Sequence, residues 1–403
     1  MSILEEIVTP FLKHLTDNYT SIIHKEYDLH KEIKQKLPAF LLNPDELVIY
    51  LGKDHLAIEY IGPYKRNVVH DWKTKVGIFD YSNEENFIEK IIGLPLNGTG
   101  IPASIFDESD DLFLATTSAT EILVENNWNF LAQEMVFMLN MNGVQLSGEG
   151  PMRIRNSFFY DKNGNGLRVR NIQWMDIFPI HRTDIDSETE QITVSFWQNL
   201  HEMALRDSRY TIPEKFDFQH DKLSILNRFI ELYNSEGASE TDITSFLSQP
   251  EHHFILNGAF FGKTIHPEKE CNWITHPDKK PIRPDFFVTT SDGYANIVEF
   301  KLPNFKTNSV IVGKDNRETF SAELHSYIAQ TRVYGEYFNE SLNRKHVQEK
   351  HNISVYKPKR FLVVGRKRML PLETWKEIEA EYSQITILTY DDIVDTVMGF
   401  LMS

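Results

Sequence analysis

The sequence predicts an α/β protein in which an α+β N-terminal region precedes a C-terminal mixed β-sheet flanked by helices. Three observations predict this class. Residues 240–403 alternate between helical and strand-like hydrophobic periods, residues 46–80 contain successive strand-like runs, and residues 1–36 carry apolar side chains at helical spacing. The composition, 41% hydrophobic and 25% charged over 403 residues, is that of an ordinary globular protein. This length indicates two or three domains.

The N-terminal elements follow from these patterns in order. Residues 1–36 are predicted to be helical, with Pro38 ending the run. The runs DELVIYLG, HLAIEYIG and KVGIFDY predict strands. The longest helix is predicted over 117–143, with Gly143 as its stop. RIRNSFFY and LRVRNIQW, on either side of DKNGNG, predict a β-hairpin.

A domain boundary is predicted within 215–240. An amphipathic helix over 221–237 is followed by a polar stretch, NSEGASETD, and the charge changes there as well. Residues 241–403 contain 20 Lys+Arg and 21 Asp+Glu, so the net charge of −16 belongs almost entirely to residues 1–240. We therefore divide the chain into 1–215, which has room for two subdomains, and 216–403.

The C-terminal region reads as α-β-β-α-β-α-β-α. A short helix over 241–249 is followed by a loop rich in His, Lys and Pro, and then by a hairpin within 282–303. A long helix over 318–338 presents Phe320 and other apolar side chains on one face. The segments FLVVGR, LETWKEIEAEY, ITILTY and DDIVDTVMGFL complete the pattern as strand, helix, strand and helix. This order predicts a mixed sheet covered by helices.

The hairpin IRPDFFVTTSDGYANIVEFKLP carries charges where a strand is otherwise apolar. Glu299 and Lys301 point to one face, because side chains alternate along a strand. Strict pairing about the turn places Asp285 opposite Phe300, whereas a shift of one residue places it opposite Glu299. With that shift two carboxylates meet beside one ammonium, and a divalent cation would relieve their repulsion. Mg²⁺, with Mn²⁺ as substitute, suits such carboxylates.

This pattern resembles the PD-(D/E)xK nuclease superfamily. Pro284-Asp285 and Glu299-Phe300-Lys301 correspond to its motif, and Gln330-Thr-Arg-Val-Tyr334 on the following helix resembles the Gln-xxx-Tyr pattern of the RecB-like branch. The resemblance implies a restriction-endonuclease-like core, with Asp285 and Glu299 as metal ligands and Lys301 as a catalytic residue. It also implies that Gln330 orients the lysine or a metal-bound water.

Over about 240–403 the combination of RPDF, VEFKLP, IAQTRVYGEYF, FLVVGR and TYDDI resembles the Shedu anti-phage defence proteins. The resemblance implies a metal-dependent DNA endonuclease acting on double-stranded phage or plasmid DNA. It also implies a homo-oligomer, a dimer or a tetramer, whose region 1–215 senses or regulates. An acidic residue on the first core helix is also expected, and Glu240, Asp242 and Glu251 remain open. The alternatives are a repair or recombination nuclease and a catalytically silent DNA-binding protein.

Several other features have two interpretations. The basic cluster YKPKRFLVVGRKR, over 356–368, is typical either of a solvated strand edge or of a polyanion-binding surface. DKNGNG imitates an EF-hand loop but lacks its Glu, so a hairpin turn is favoured. Tyr50 and Tyr60 imitate a GIY-YIG nuclease, yet ordinary strand aromatics are favoured. A group of histidines with Cys271 lacks the spacing of a zinc site (His252, His253, His266 and His276).

The remaining expectations concern location. We find no apolar run near the ~18 residues of a membrane helix and no signal peptide pattern. One cysteine, Cys271, permits no intrachain disulfide framework. A reducing cytoplasm, without a membrane partner, is the expected location.

Overall fold

The structure is a computed structural model of the chain. It describes residues 3–30, 33–69, 71–94, 101–102, 112–130, 132, 136–139, 144–145, 151–164, 166–184, 190–194, 200–211, 218–306, 309–315 and 317–402. Gly143, the predicted stop of the longest helix, lies outside these residues. None of the helices among the described residues is both long enough and apolar enough to cross a membrane.

The chain divides into two compact units. The first consists of Met1–Glu121, Gln133–Lys162 and Arg168–Phe216, and the second of Ile122–Ala132, Asn163–Leu167 and Asp217–Ser403. Two short segments that lie early in the sequence thus belong to the second unit.

From the N-terminus to residue 216 the chain forms five helices and ten strands within the described residues. The helices are α1 (Ile3–Leu15), α2 (Ser21–Leu29), α3 (Phe87–Ile92), α4 (Thr117–Glu125) and α5 (Leu200–Asp207). The strands are β1 (Glu46–Leu51), β2 (His55–Ile61), β3 (Lys75–Asp80), β4 (Ile101–Pro102), β5 (Leu112–Ala115), β6 (Val136–Leu139), β7 (Val144–Gln145), β8 (Met152–Asn163), β9 (Gly166–Asp184) and β10 (Glu190–Val194). A π-helical stretch joins α1 to α2, and two short 3-10 helices follow (Thr16–Thr20, Ile33–Gln35 and Ala39–Leu41).

The main sheet of the first unit has the order β3-β1-β2-β9-β8-β5-β6, with β10 beside β9. Alternation along β1 sends Ile49 and Leu51 into one apolar cluster and Val48 and Tyr50 into another. Helix α1 packs in the first of these clusters through an apolar stripe that includes Phe11, although Pro10 interrupts its hydrogen bonding. The α/β class predicted from the sequence is confirmed.

The long helix predicted over 117–143 is wrong. Helix α4 ends at Glu125, and the later strand β6 occupies part of the predicted span. Asn127 adopts a φ of +55°, and the amide of Trp128 donates to the carbonyl of Leu123 at 2.9 Å. This is the Schellman type of helix end, in which Asn replaces the usual Gly. Local backbone chemistry at Asn127 therefore outweighs the apolar periodicity that continues beyond it.

Two sequence motifs of this region, one that imitates a calcium-binding loop and one that imitates a nuclease, belong to ordinary β-strands. Asp161, Lys162 and Asn163 of DKNGNG end β8 and Gly166 begins β9, and the two strands are neighbours in the sheet, as the hairpin interpretation predicted. Tyr50 and Tyr60 lie on paired strands, but Tyr50 pairs with Ala57, and Tyr60 is three residues further along the same strand. The two tyrosine side chains consequently point to opposite faces of the sheet and cannot share one active site.

The second unit contains seven helices and seven strands within the described residues from 218 onward. The elements, in order, are α6 (Phe218–Asn234), α7 (Glu240–Leu247), α8 (His253–Phe260), β11 (Thr264–Pro267), β12 (Phe286–Thr289), β13 (Ala295–Phe300), β14 (Ile311–Val312), β15 (Thr319–Phe320), α9 (Ala322–Asn339), α10 (Ser341–His351), β16 (Arg360–Val363), α11 (Leu372–Glu379), β17 (Thr386–Leu388) and α12 (Tyr390–Met402). Its central sheet has the order β11-β12-β13-β16-β17. Strands β11, β12 and β13 are antiparallel, whereas β13, β16 and β17 are parallel. The predicted mixed sheet is therefore present.

The predicted order of elements in this unit needs three corrections. The predicted loop before the hairpin contains α8 and β11, because its apolar run HFILNGAF forms a helix of its own. The helix predicted over 318–338 begins at Ala322 after the N-cap Ser321, so Phe320 belongs to β15. A further helix, α10, precedes β16.

The strand-edge interpretation of the basic cluster is wrong. Strand β16 lies between β13 and β17 and is therefore internal to the sheet. Arg360 is buried and donates to the carbonyl of Gln384 at 3.0 Å, and Arg366 is fully buried. Lys367 pairs with Asp392 at 2.9 Å. Much of this positive charge is thus used inside the fold.

Candidate active site

The hairpin formed by β12 and β13 brings two carboxylates together. Phe286 pairs with Val298, so the same register continued by one residue places Asp285 opposite Glu299. This is the shifted pairing and not the strict one, because a five-residue turn with Gly293 at φ +84° joins the strands. The Asp285 carboxylate also accepts a hydrogen bond from the amide of Phe300 at 2.7 Å. Asp285 and Glu299 therefore share one face of the sheet.

Lys301 lies immediately after β13, and its ammonium group contacts two acidic side chains. Its Nζ atom is 3.0 Å from Oε1 of Glu299 and 3.1 Å from Oε2 of Glu240. The backbone of Lys301 is held from both sides, because its amide donates to Val363 at 2.9 Å and its carbonyl accepts from the hydroxyl of Tyr390 at 2.6 Å. With a side chain only 9% exposed, the ammonium has little freedom to move away.

Glu240 is the acidic residue of the first core helix that the sequence left open. It is the first residue of α7, where Ser239 caps the helix and exchanges hydrogen bonds with Asp242. Asp242 is therefore occupied by the capping box, and Glu251 lies in a separate 3-10 helix. The Ser-x-x-Asp spacing of the box is a sequence signal that would have fixed the start of α7 and the place of Glu240.

Helix α9 orients Glu299 through two side chains that are four residues apart. Gln330 donates to Oε1 of Glu299 at 2.6 Å, and the hydroxyl of Tyr334 donates to Oε2 at 3.2 Å. Gln330 and Tyr334 also contact each other at 2.8 Å. Residues at this spacing lie on one face of a helix, which explains why the Gln-xxx-Tyr pattern acts as a unit. Gln330 contacts the carboxylate in this structure, whereas the resemblance implied that it orients Lys301 or water.

Burial and mutual repulsion perturb the ionisation of this cluster. Burial, followed by the nearby Glu299 carboxylate, raises the pKa of Asp285 to about 8. Burial raises the pKa of Glu299 as well, although Lys301 opposes that change. Burial lowers the pKa of Lys301, but the carboxylates of Glu299, Glu240 and Asp285 together outweigh this effect and the pKa is raised. The site holds three acidic groups for one ammonium, so it carries surplus negative charge whenever all of them are ionised.

The donor set fits a hard divalent cation. Asp285 and Glu299 offer carboxylate oxygens from adjacent strands, and such oxygens are the ligands preferred by Mg²⁺ and Mn²⁺. Among the described residues, no group of three or more His, Cys, Asp or Glu side chains is already arranged as a metal site. A cation here would accordingly be held by one or two carboxylates and by water, as is usual for Mg²⁺.

The histidines and the cysteine of the second unit do not converge. His252 contacts the carbonyl of Phe246 at 2.6 Å, His253 contacts that of Ser248 at 3.1 Å, and Cys271 is buried near Lys269. The other two contact Thr289 at 3.1 Å and Glu340 at 3.6 Å (His266 and His276). Within the part of the chain that the structure describes, none of these side chains belongs to a group of three or more that could hold a metal ion.

Residues 237–394 match the family model described as Shedu protein SduA, C-terminal. The matched segment includes Glu240, Asp285, Glu299, Lys301 and Gln330. No curated protein matches the chain. The similarity thus covers the strands and helices that build the acidic cluster and does not extend into residues 1–236.

Proposed function

We propose that residues 237–394, which match the family model described as Shedu protein SduA, C-terminal, form a metal-dependent DNA endonuclease. The family is associated with anti-phage defence, so we assign the chain a role in that defence. The proposed core is of the PD-(D/E)xK type, and the proposed substrate is double-stranded phage or plasmid DNA. One observation carries the proposal, namely that Asp285, Glu299 and Lys301 converge on one face of the sheet.

In this mechanism Asp285 and Glu299 would hold Mg²⁺ or Mn²⁺, and Glu240 would contribute further negative charge at the rim. When bound, the cation supplies Lewis-acid activation of water and neutralises charge on a phosphate oxygen. Gln330 and Tyr334 keep both oxygens of Glu299 in a fixed orientation, which limits the reorganisation needed when substrate binds.

Lys301 contributes through its positive charge. Two carboxylates lie within 3.1 Å of its Nζ atom and favour the ammonium form. An ammonium at this position can orient the attacking water and stabilise the negative charge that develops on the phosphate. This role fits the surroundings of Lys301 better than abstraction of a proton, which would require the neutral amine.

The wider assignments are part of the same proposal. The N-terminal region 1–215 senses a trigger or regulates the nuclease, the chain forms a dimer or a tetramer, and it acts in the cytoplasm. A repair or recombination nuclease with the same core is the alternative, and a plaque assay comparing wild type with Lys301→Ala distinguishes it from a defence role. A silent DNA-binding protein would produce no nicks at any Mg²⁺ concentration.

The decisive experiment follows cleavage of supercoiled, nicked and linear DNA with Mg²⁺. Lys301→Ala should reduce the cleavage rate by about 10²–10³-fold, the loss expected when one group that stabilises developing negative charge is removed. Its DNA binding and circular dichroism should match wild type. Lys376→Ala, an exposed lysine on α11, serves as the matched control and should cleave normally. An undiminished rate for Lys301→Ala would refute the mechanism.

A further inference from the structure

The end of the central sheet opposite the acidic cluster displays exposed aromatic rings. Phe261 is 83% exposed, Tyr356 is 54% exposed and Tyr294 is 48% exposed. Large apolar side chains are normally withdrawn from water, so three of them at one end of a sheet call for an explanation. We refer to these rings, together with the cations Arg344, Lys357 and Lys359, as the distal patch.

Backbone hydrogen bonds hold the segments of the distal patch at the same end of the sheet. The amide of Lys263, two residues after Phe261, donates to Thr289 at 2.7 Å, where the hairpin turn begins. The amide of Ala295, which follows Tyr294, donates to Ser354 at 2.8 Å. The amide of Lys359 donates to the side chain of Asn296 at 3.0 Å. Three separate loops are thereby fixed next to one another.

The rings and cations of the patch are close together. The centroids of Tyr294 and Tyr356 are 6.2 Å apart. The guanidinium of Arg344 lies 5.5 Å from the centre of the Tyr356 ring, and the ammonium of Lys357 lies 5.8 Å from it. Asp292, the nearby acid in the turn, accepts a hydrogen bond from the amide of Tyr294 at 3.0 Å and also interacts electrostatically with Lys359.

The basic cluster at 356–368 thus divides into two parts. In its second part Arg360 and Arg366 are buried, and Lys367 and Arg368 pair with acidic side chains (Asp392 and Glu125). Its first part, Tyr356 with Lys357 and Lys359, is exposed at the distal end. The polyanion-binding interpretation therefore applies only to this first part, and there it coincides with the exposed rings.

We propose that the distal patch binds unpaired nucleotides of a nucleic acid, with Tyr294 and Tyr356 stacking on bases and the cations contacting phosphates. Exposed rings interleaved with cations are the usual surface for single strands, whose bases are free to stack, whereas a duplex hides its base faces. Lysine is depleted at protein–protein interfaces, so the exposed lysines favour a polyanion over a protein partner.

The patch is separate from the cleavage site. Lys301 follows Ala295 by six positions, which corresponds to about 20 Å of extended strand at about 3.3 Å per residue. One phosphodiester group cannot contact both regions at once. The proposal does not depend on cleavage, and it is tested in EDTA, where failure of the proposed nuclease function would leave the result unaffected.

The test measures fluorescence anisotropy of the full chain with three labelled probes in EDTA. The probes are a 20-nucleotide oligo(dT), an abasic oligomer with the same phosphates, and a 20-bp duplex. Because base stacking on the two rings would be lost, the double variant Tyr294→Ala, Tyr356→Ala should bind oligo(dT) at least about tenfold more weakly. Its affinity for the abasic oligomer should not change. Tyr356→Phe, which keeps the ring, should bind like wild type.

Phe400→Ala is the matched control, because Phe400 is 60% exposed on α12 and lies outside the patch. It should leave oligo(dT) binding unchanged. The proposal is overturned if the double variant loses affinity equally for the abasic oligomer, or if it keeps full affinity for oligo(dT). It is also overturned if the substitutions alter the sedimentation coefficient without altering oligo(dT) binding, since the patch would then be a protein interface.

Discussion

Each unit of the molecule contains a buried cluster of charges, and the two clusters are built differently. In the first unit Arg153 binds Asp176 at 2.6 Å and Asp207 at 2.8 Å, and all three side chains are fully buried. In the second unit Lys301 faces Glu299 and Glu240, and Glu240 remains 41% exposed. The cluster around Arg153 is buried from water, whereas the cluster around Lys301 is partly exposed to it.

The charge balance differs in the same way. Asp207 has a second cation nearby, since Arg206 lies at 3.7 Å, and it accepts a hydrogen bond from the hydroxyl of Tyr19 at 2.7 Å. Two carboxylates therefore face two guanidinium groups. The guanidinium of Arg153 also lies 4.2 Å from the centre of the Trp174 ring. In the second unit three acidic groups face one ammonium. A structural ion cluster is complete within the protein, whereas a site that binds a cation is left short of positive charge.

The largest predicted effect contrasts Arg153→Met with Lys301→Met. Arg153→Met leaves the buried Asp176 without its cation and Asp207 with only the exposed Arg206, so the free energy of unfolding should fall by about 3–5 kcal/mol. Lys301→Met should lower the free energy of unfolding by less than half as much. The remaining carboxylates can take up protons or contact solvent, which lowers their mutual repulsion. Urea unfolding monitored for each unit provides the measurement. Equal losses would mean that the second cluster is also a structural ion network.

The next effect concerns the pH dependence of stability without metal. The pKa of Asp285 in the fold is raised to about 8, well above that of the unfolded chain. Between about pH 4 and pH 8 the folded state retains a proton that the unfolded state releases, so stability falls as pH rises, by at most about 1.4 kcal/mol per pH unit. Asp285→Asn should remove this slope.

The measurement is a series of urea unfolding curves from pH 5 to pH 8 in EDTA. Added Mg²⁺ should stabilise wild type at pH 8, because a ligand that binds the folded state shifts the equilibrium towards it. The same addition should have little effect on Asp285→Asn. Identical pH slopes for wild type and Asp285→Asn would show that Asp285 does not retain the proton.

The smallest effect tests the support of Glu299 by α9. Tyr334→Phe removes a hydroxyl that donates to Glu299 at 3.2 Å, so about 0.5–1.5 kcal/mol of stability should be lost. Cleavage should slow by about tenfold or less, because a change of about 1 kcal/mol in the activation free energy changes a rate by less than about tenfold. Thr331→Ser, a substitution on the same helix that keeps the hydroxyl group, is the control and should slow cleavage less than Tyr334→Phe. A loss as large as that of Lys301→Ala would contradict a purely orienting role.

The fold class and the chemistry of the hairpin could be predicted from the sequence, because both depend on short-range patterns. The alternation of β13 places Glu299 and Lys301 on one face, and the four-residue spacing of Gln330 and Tyr334 places them on one side of α9. The error over 117–143 has the same origin, since hydrophobic periodicity carries no information about the backbone geometry at Asn127.

Other features required the tertiary structure, because they depend on which distant segments become neighbours. The choice of Glu240 is decided by the packing of α7 against β13, and the hydrogen bond from Tyr390 to Lys301 joins residues 89 positions apart. The internal position of β16 buries Arg360, which a local reading of the basic cluster placed at an edge. Sequence alone thus determined the fold class and the spacing of the candidate side chains, while long-range packing decided which of them meet and which remain exposed to solvent.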